Sequence, residues 1–407
     1  MVGARRSVLV RSSFLLNVVF ALYVALHIPP PPGLLVPRPP PPPHENLTQT
    51  PNPDPDYPVE TETPPQFLSE SAESLWGATT PAPSLQERAY PDLHSCRTPP
   101  LTPTPALRGA HWVLFNFVPA DTQPACNESV TYTTHADVAF LDNLVPLVER
   151  WRGPVSASVF APAEDFNATL VAVAFLRACY PLVAKHVTFH FFFPTAHMPK
   201  AIPTTAHVLL EMRGARCSAP PPFFSSDTYK HNHNLTYPVN VARNVARLAA
   251  ATYFVLASDV ELYPSAHFIP RFLDMMRRED ASRAPTPARR VYVLPIFEVK
   301  RGLRPPASKA VLVRMLKRAS AIPFHKFVCP QCHLVPGLRE WPSANSSSNA
   351  DGLGVLTVAK RHPPFNRWEP IYVGTNLEPL YDERLTWEGR SDKMTQVRTR
   401  FGGCIFG

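Results

Sequence analysis

The chain has 407 residues and is 45% hydrophobic, enough to bury the core of one large α/β domain or of two closely packed halves. Its net charge of +8 is carried by 31 Arg and 9 Lys, and guanidinium forks suit phosphate and carboxylate partners. Nucleic acid, the default partner of so basic a chain, is set aside because the N-terminus reads as a membrane anchor.

Residues 1–7 form a short basic tail with Arg5 and Arg6, followed by the apolar run "VLVRSSFLLNVVFALYVALHI" at 8–28. Arg11 can snorkel to the interface. No small-x-small cleavage site follows. The run is read as an uncleaved signal anchor with its basic end cytosolic and the rest of the chain lumenal. Of the 51 prolines, 23 lie between Pro29 and Pro105. Proline at this density blocks helix and central strand and favours extended polyproline II, so 29–105 is read as a disordered lumenal stem. Five N-x-[ST] sequons, at Asn46, Asn127, Asn167, Asn234 and Asn345, agree with a lumenal location.

The folded domain is expected over 106–407. "HWVLFNFV" (111–118) and "PVSASVFAP" (154–162) read as strands. "AEDFNATLVAVAFLRACY" (163–180) places Phe166, Leu170, Val173 and Leu176 on one helical face. "HVTFHFFFP" (186–194) is β-rich, "YPVNVARNVARLAAA" (237–251) is helical, and "TYFVLAS" (252–258) is a buried-type strand. "VYVLPIFEV" (291–299) is expected as one further strand. Strands alternating with helices predict a Rossmann-like sheet covered on both faces.

The chemistry concentrates in "FVLASDVELYPS" (254–265), where Asp259 and Glu261 follow the strand at once. Ligands of open α/β sheets bind at the carboxyl ends of strands. Two acids there can share Mn²⁺ or Mg²⁺, whose shell is completed by phosphate oxygens and water. A nucleoside-diphosphate leaving group needs such charge neutralisation. A D-x-[DE] pair also arises by chance; Asp54 and Asp56 in the stem are one such case. The preceding helix carries Asn240, Arg243, Asn244 and Arg247, either as a solvated face or as donor-binding groups beside the acids. Glu298 ends another strand and either faces the site or pairs at the core edge. His231 and His233 flank a sequon and read as an exposed loop.

The ordered blocks "WRGPVSASVFAP" (151–162), "YPVNVARNVAR" (237–247), "FVLASDVELYPS", "VYVLPIFEV", "FHKFVCPQCHLVPGLREW" (324–341) and "WEPIYVGTNLEPLYDERLTWEGRSDKMTQV" (368–397) resemble glycosyltransferase family 49, that of LARGE-type and β-1,4-glucuronyltransferase enzymes. The resemblance implies a GT-A fold, Golgi type II topology and metal-dependent inverting transfer from a UDP-sugar to a glycan acceptor on a glycoprotein. It implies UDP-glucuronic acid as donor, with UDP-N-acetylglucosamine the alternative. It places Asp259 and Glu261 at the metal, and the residue reading adds Asn240, Arg243, Asn244 and Asp259 as donor-binding groups. Many members have Asp where this chain has Glu261. The "YDERLTWEGRSDKMTQ" block falls on the acceptor side, where one carboxylate must take the acceptor proton; Asp392 is favoured there, with Asp382 and Glu383 also available. The family continues past this block into a stretch that gives the metal a histidine. Here the chain ends "VRTRFGGCIFG", so a shortened C-terminus is expected. A non-catalytic lumenal pseudoenzyme is the alternative function.

Seven cysteines in a lumenal chain predict disulfides with one thiol left over, Cys96 or Cys404. The "FVCPQCH" stretch has the form of a haem, zinc or redox motif. Without a haem pocket, a second C-x-x-C or a thioredoxin-like unit, Cys329 and Cys332 read as structural thiols.

Overall fold

The computed structural model describes residues 2–4, 93, 95–218, 220–221, 223, 227–281, 290–344, 353–359, 369–385, 393 and 405–406. The anchor run 8–28, most of the stem, Asp392, Asn46, Asn345 and Cys404 lie outside these. Among the described residues no helix is long and apolar enough to cross a membrane.

The strands in chain order are β1 (Val2–Ala4), β2 (Thr104–Arg108), β3 (His111–Val118), β4 (Val130–Asp137), β5 (Val155–Phe160), β6 (Val187–Pro194), β7 (Phe254–Ala257), β8 (Leu262–Tyr263), β9 (Arg290–Val293), β10 (Phe297–Val299), β11 (Ala321–Pro323), β12 (Tyr372–Thr375) and β13 (Ile405–Phe406). The helices used below are α1 (Leu144–Trp151), α2 (Asp165–Cys179), α3 (Pro181–His186), α4 (Thr205–Met212), α5 (Tyr229–Asn232), α6 (Val239–Ala249) and α7 (Phe268–Ala281).

A nine-stranded sheet runs β13-β9-β12-β7-β4-β5-β6-β3-β2, and a four-stranded one runs β11-β10-β1-β8. Strands β4, β5, β6 and β7 are parallel, while β3 and β12 run antiparallel to their neighbours, so the large sheet is mixed. β2 is an edge strand and carries Pro105 there, where a missing N–H costs no ladder bond. It crosses the stem boundary read at 105, and the Cys96–Cys126 disulfide ties the chain back further still.

Along each strand successive side chains enter opposite cores, the period-2 signature of a sheet buried on both faces. Leu114, Val159, Phe191 and Phe193 pack with α1, α2 and α7 on one face. Val113, Phe115, Phe160 and Phe192 meet Val241, Ala242, Val245 and Leu248 of α6 on the other. The expected mixed α/β, Rossmann-like architecture with helices on both faces is what forms. The face of α2 read from spacing is the buried one: Phe166, Val173 and Leu176 are almost wholly enclosed.

Two expectations are corrected. "VYVLPIFEV" is two strands, β9 and β10, in different sheets. Pro295 between them has no N–H to give a ladder and ends the first. The polar residues of α6 are not a solvated face, for all eleven residues of that helix are buried.

β1 lies parallel to β10 and antiparallel to β8. That pairing and a tail on the far side of a membrane exclude one another in a single molecule.

Candidate functional site

The chain steps from β4 to β5 to β6 in one direction, then returns through α6 to lay β7 on the other side of β4. This is a topological switch point, and the crevice outside the carboxyl ends of β4 and β7 is where such sheets bind ligands. His135, near the carboxyl end of β4, and Asp259, just past β7, face each other across it, with His135 Nε2 3.5 Å from Asp259 Oδ1.

A turn closed by the Leu262 N–H on the Asp259 carbonyl at 3.0 Å presents Asp259 and Glu261. The Tyr132 hydroxyl lies 2.9 Å from the Asp259 carbonyl oxygen and 2.7 Å from that of Leu262, holding the turn against β4. Burial, reinforced by Asp259 and Glu261, raises the Tyr132 phenol well above its usual range, so it stays a donor.

Three nitrogen groups surround the Asp259 carboxylate. Lys393 Nζ donates to Oδ2 at 2.7 Å, and Arg243 Nη2 lies 3.3 Å from Oδ1, the atom His135 also faces. Burial opposes the charged form, but Lys393, His135 and Arg243 outweigh it and hold the carboxyl well below the ordinary range. The Asp259 side chain keeps 21% of its surface exposed, so ligands can reach it.

The remaining predicted donor residues do something else as well. Asn240 Nδ2 donates to the Asp382 carbonyl at 2.8 Å, and its Oδ1 accepts from Arg243 at 3.1 Å. Asn244 gives its amide to the Tyr381 carbonyl at 2.8 Å and to Glu383 Oε1 at 2.6 Å, and accepts the Tyr381 N–H at 2.9 Å. Arg247 donates to the carbonyls of Pro379 and Glu378 at 2.7 and 3.0 Å. The polar ridge of α6 thus grips 378–383, with Arg243 alone of the four reaching Asp259. Lys230, by contrast, is paired to Asp137 at the tip of β4.

Of the acceptor-side acids, Asp382 is tied to exposed Arg384 at 2.6 Å, which holds its carboxyl below the ordinary value. Glu383 is held by Arg108 Nε at 2.6 Å and by Asn244. Asp392 lies outside the described residues.

Asp259 and Glu261 supply the hard oxygen donors that Mn²⁺ or Mg²⁺ prefers. His135 Nε2 is buried, makes no hydrogen bond and faces the same carboxylate, while Nδ1 is oriented by the Tyr237 hydroxyl at 2.9 Å. A second partner on the far ring nitrogen is the arrangement of a metal-binding imidazole. Among the described residues no three His, Cys, Asp or Glu side chains close on one point. An ion held by these oxygen donors would need further oxygens from substrate and water, and Lys393 already stands on Asp259 Oδ2.

His135 and Lys393 escaped sequence reading. The strand "VTYTTHAD" lacks the apolar run that marks its neighbours, although its Val, Thr and Tyr favour strands and a His near the carboxyl end of a switch-point strand is a recognisable signal. Lys393 comes from 134 residues away and carries none. Glu298 is buried in β10 and accepts the His325 N–H at 3.0 Å, the core-edge reading. His231 and His233 are exposed, on and just after the single turn of α5.

Six cysteines form Cys96–Cys126, Cys179–Cys217 and Cys329–Cys332. With Cys329 and Cys332 joined to each other, no thiolate pair remains in "CPQCH" for zinc.

The chain is 31% identical over 262 residues to a β-1,4-glucuronyltransferase 1 from Danio rerio, covering 63% of this chain and 58% of that protein. It is 29% identical over 271 residues to the Homo sapiens β-1,4-glucuronyltransferase 1, covering 64% and 61%. A glycosyltransferase-like protein gnt14 from Dictyostelium discoideum is 26% identical over 280 residues, covering 66% and 33%. The matches thus span about three fifths of the length of the two glucuronyltransferases. The profile of the family described as "Glycosyl-transferase for dystroglycan" matches residues 129–400, which include β4, α6, the Asp259 turn and Lys393. The chain belongs to glycosyltransferase family 49.

Proposed function

We propose that the protein transfers a sugar from a UDP-sugar to a glycan acceptor on a glycoprotein, with inversion, in the lumen of the Golgi. The observation that carries this reading is the switch-point crevice, where Asp259 lies among Arg243, Lys393 and His135. Arg243 and Lys393 are cations suited to a diphosphate, and α6 fixes the first of them rigidly. A Mn²⁺ or Mg²⁺ ion would be held by Asp259 and Glu261 and would supply positive charge against the departing UDP. Asp392 takes the proton of the acceptor hydroxyl; Asp382 and Glu383 are already committed to Arg384 and Arg108. UDP-glucuronic acid is the favoured donor, since the named relatives are glucuronyltransferases, and UDP-N-acetylglucosamine is the alternative.

The three disulfides and the exposed sequon residues Asn127, Asn167 and Asn234 support a lumenal domain. In the anchored type II form, residues 1–7 are cytosolic and the β1 pairing is absent. Glycosylation of those three asparagines in cells, with carbonate-resistant membrane association, is the expected result.

The activity test is UDP binding with and without Mn²⁺. Tight binding only with Mn²⁺, lost by more than tenfold in Asp259→Asn, supports the transferase, and Asp392→Asn then lowers kcat while leaving UDP affinity intact. The second reading is a pseudoenzyme, favoured by the cations that already neutralise Asp259 without metal. UDP binding indifferent to Mn²⁺, with no transfer from either donor, would carry it.

A further inference from the structure

Among the described residues Lys393 is the closest cation to Asp259, and it takes Oδ2, an oxygen that a divalent ion would need. Its side chain is only 14% exposed, so this is a buried contact rather than a passing surface pair. Arg243, 8% exposed and hydrogen-bonded to Asn240, is fixed by the helix. Lysine differs: its ammonium is a compact charge on a flexible four-carbon stem, able to leave one anion for another.

We propose that Lys393 is an internal stand-in for the metal: it occupies the cation position on Asp259 in the ligand-free protein and competes with the divalent ion for that carboxylate. This rests on the sugar-nucleotide reading above. The physical basis is charge. A neighbouring cation within about 4–6 Å weakens a carboxylate's hold on a proton by about 1–3 powers of ten. It must weaken the hold on a divalent ion at least as strongly, because the ion carries more charge against the same repulsion. The metal alone therefore binds poorly. An arriving diphosphate changes the balance, since it brings oxygens for the metal and an anion to receive the displaced ammonium. Metal and nucleotide then enter as a pair, and the protein does not collect free divalent ions at an empty site.

The test is Mn²⁺ uptake by the full chain without nucleotide, read from the loss of the free-ion EPR signal. Compared are the wild type, Lys393→Met, Lys393→Gln and the charge-retaining Lys393→Arg, each with and without Asp259→Asn. The expected result is weak uptake by the wild type and Lys393→Arg. Uptake by Lys393→Met and Lys393→Gln is tighter by about tenfold or more and is abolished by Asp259→Asn. Either neutral variant suffices if the other fails to fold. Equal or weaker uptake by the neutral variants, with Asp259→Asn still abolishing it, overturns the stand-in role and leaves the metal-dependent transferase intact. No uptake by any of these proteins overturns the proposal together with the metal part of the functional reading.

Discussion

On one face of the large sheet, α2 drives Phe166 among Phe117, Phe191 and Phe193, with ring centroids 5.6–6.1 Å apart. On the other, α6 buries an apolar ridge against the strands and, on its far side, Asn240, Arg243, Asn244 and Arg247 against 378–383. The first helix has one buried face and an exposed one, with Asn167 and Val171 open to solvent. The second has no exposed face at all. Apolar contact is non-directional and tolerates sliding, whereas charged and amide donors fixed on named carbonyls set position. The apolar helix supplies stability; the polar one sets where 378–383 and Arg243 stand relative to Asp259.

The sharpest way to break that comparison is to cut each helix at its largest buried side chain. Phe166→Ala removes a fully buried ring and costs about 3–5 kcal/mol, seen as a lower urea midpoint with protection lost across the whole domain. Arg247→Ala removes the guanidinium that donates to the carbonyls of Glu378 and Pro379 and costs about 2–4 kcal/mol. Its signature is local: hydrogen exchange should rise first at Tyr381, whose N–H is held by Asn244 Oδ1, and at Leu377 just before the gripped segment, whose N–H is held by Thr375 Oγ1. Uniform loss of protection in Arg247→Ala would mean that α6 is simply core.

How far the sequence foretold this follows the same division. Apolar periodicity announced β3, β5, β6, β7 and α2, because their partners are any apolar surface. β4 is not announced by apolar periodicity, though it is central and its Val, Thr and Tyr favour strands, because it lacks the apolar run of its neighbours. In the fold Thr131 is buried and bonded to Thr252 at 2.6 Å, so its polarity is satisfied internally. Asp259 was visible because position at a strand end is a local property. That α6 faces a segment more than a hundred residues away was not, since an i,i+4 Arg pair reads alike against solvent or against carbonyls. The Pro295 break in "VYVLPIFEV" was available and was outweighed by the apolar run around it.

A milder perturbation uses pH. His333 is buried beside Phe324 and His325, and its Nδ1 has no hydrogen-bond partner. Burial first, then Lys393 and His325, pushes its pKa down to about 3, against a smaller upward pull from Asp259 and the Glu369 backbone. Unfolded, the imidazole takes a proton near pH ~6.5. Between those values the unfolded chain binds more protons, so stability falls as pH drops from about 6.5 toward 3, by up to ~1.4 kcal/mol per unit. Carboxylates add their own slope at the acid end in any variant. His333→Phe should therefore unfold at a higher urea midpoint than wild type at pH 5 and lose the excess by pH 7.5. An unchanged slope would show that His333 is already protonated in the fold.

The smallest effects lie at the outer end of the gripped segment, where two adjacent acids meet different arginines. Arg108 and Glu383 are 18% and 26% exposed, and Glu383 is shared with Asn244. Arg384 is 89% exposed and, among the described residues, reaches back to Asp382, two residues away. Geometry alone would rank these pairs equal, since both approach within 2.6 Å. Solvent decides otherwise: an exposed pair exchanges one set of polar contacts for another and spends side-chain entropy to do so. Arg384→Ala should leave the urea midpoint unchanged within error. Arg108→Ala should lower the unfolding free energy by about 1 kcal/mol, read as a lower urea midpoint, because Glu383 then keeps its partial burial with the Asn244 amide alone of these two donors. Raising the salt to ~1 M shortens the screening length to about 3 Å and should leave the Arg108 effect largely in place. If both variants prove silent, the hold on 378–383 comes from α6 alone, and the polar helix carries that segment without help from β2.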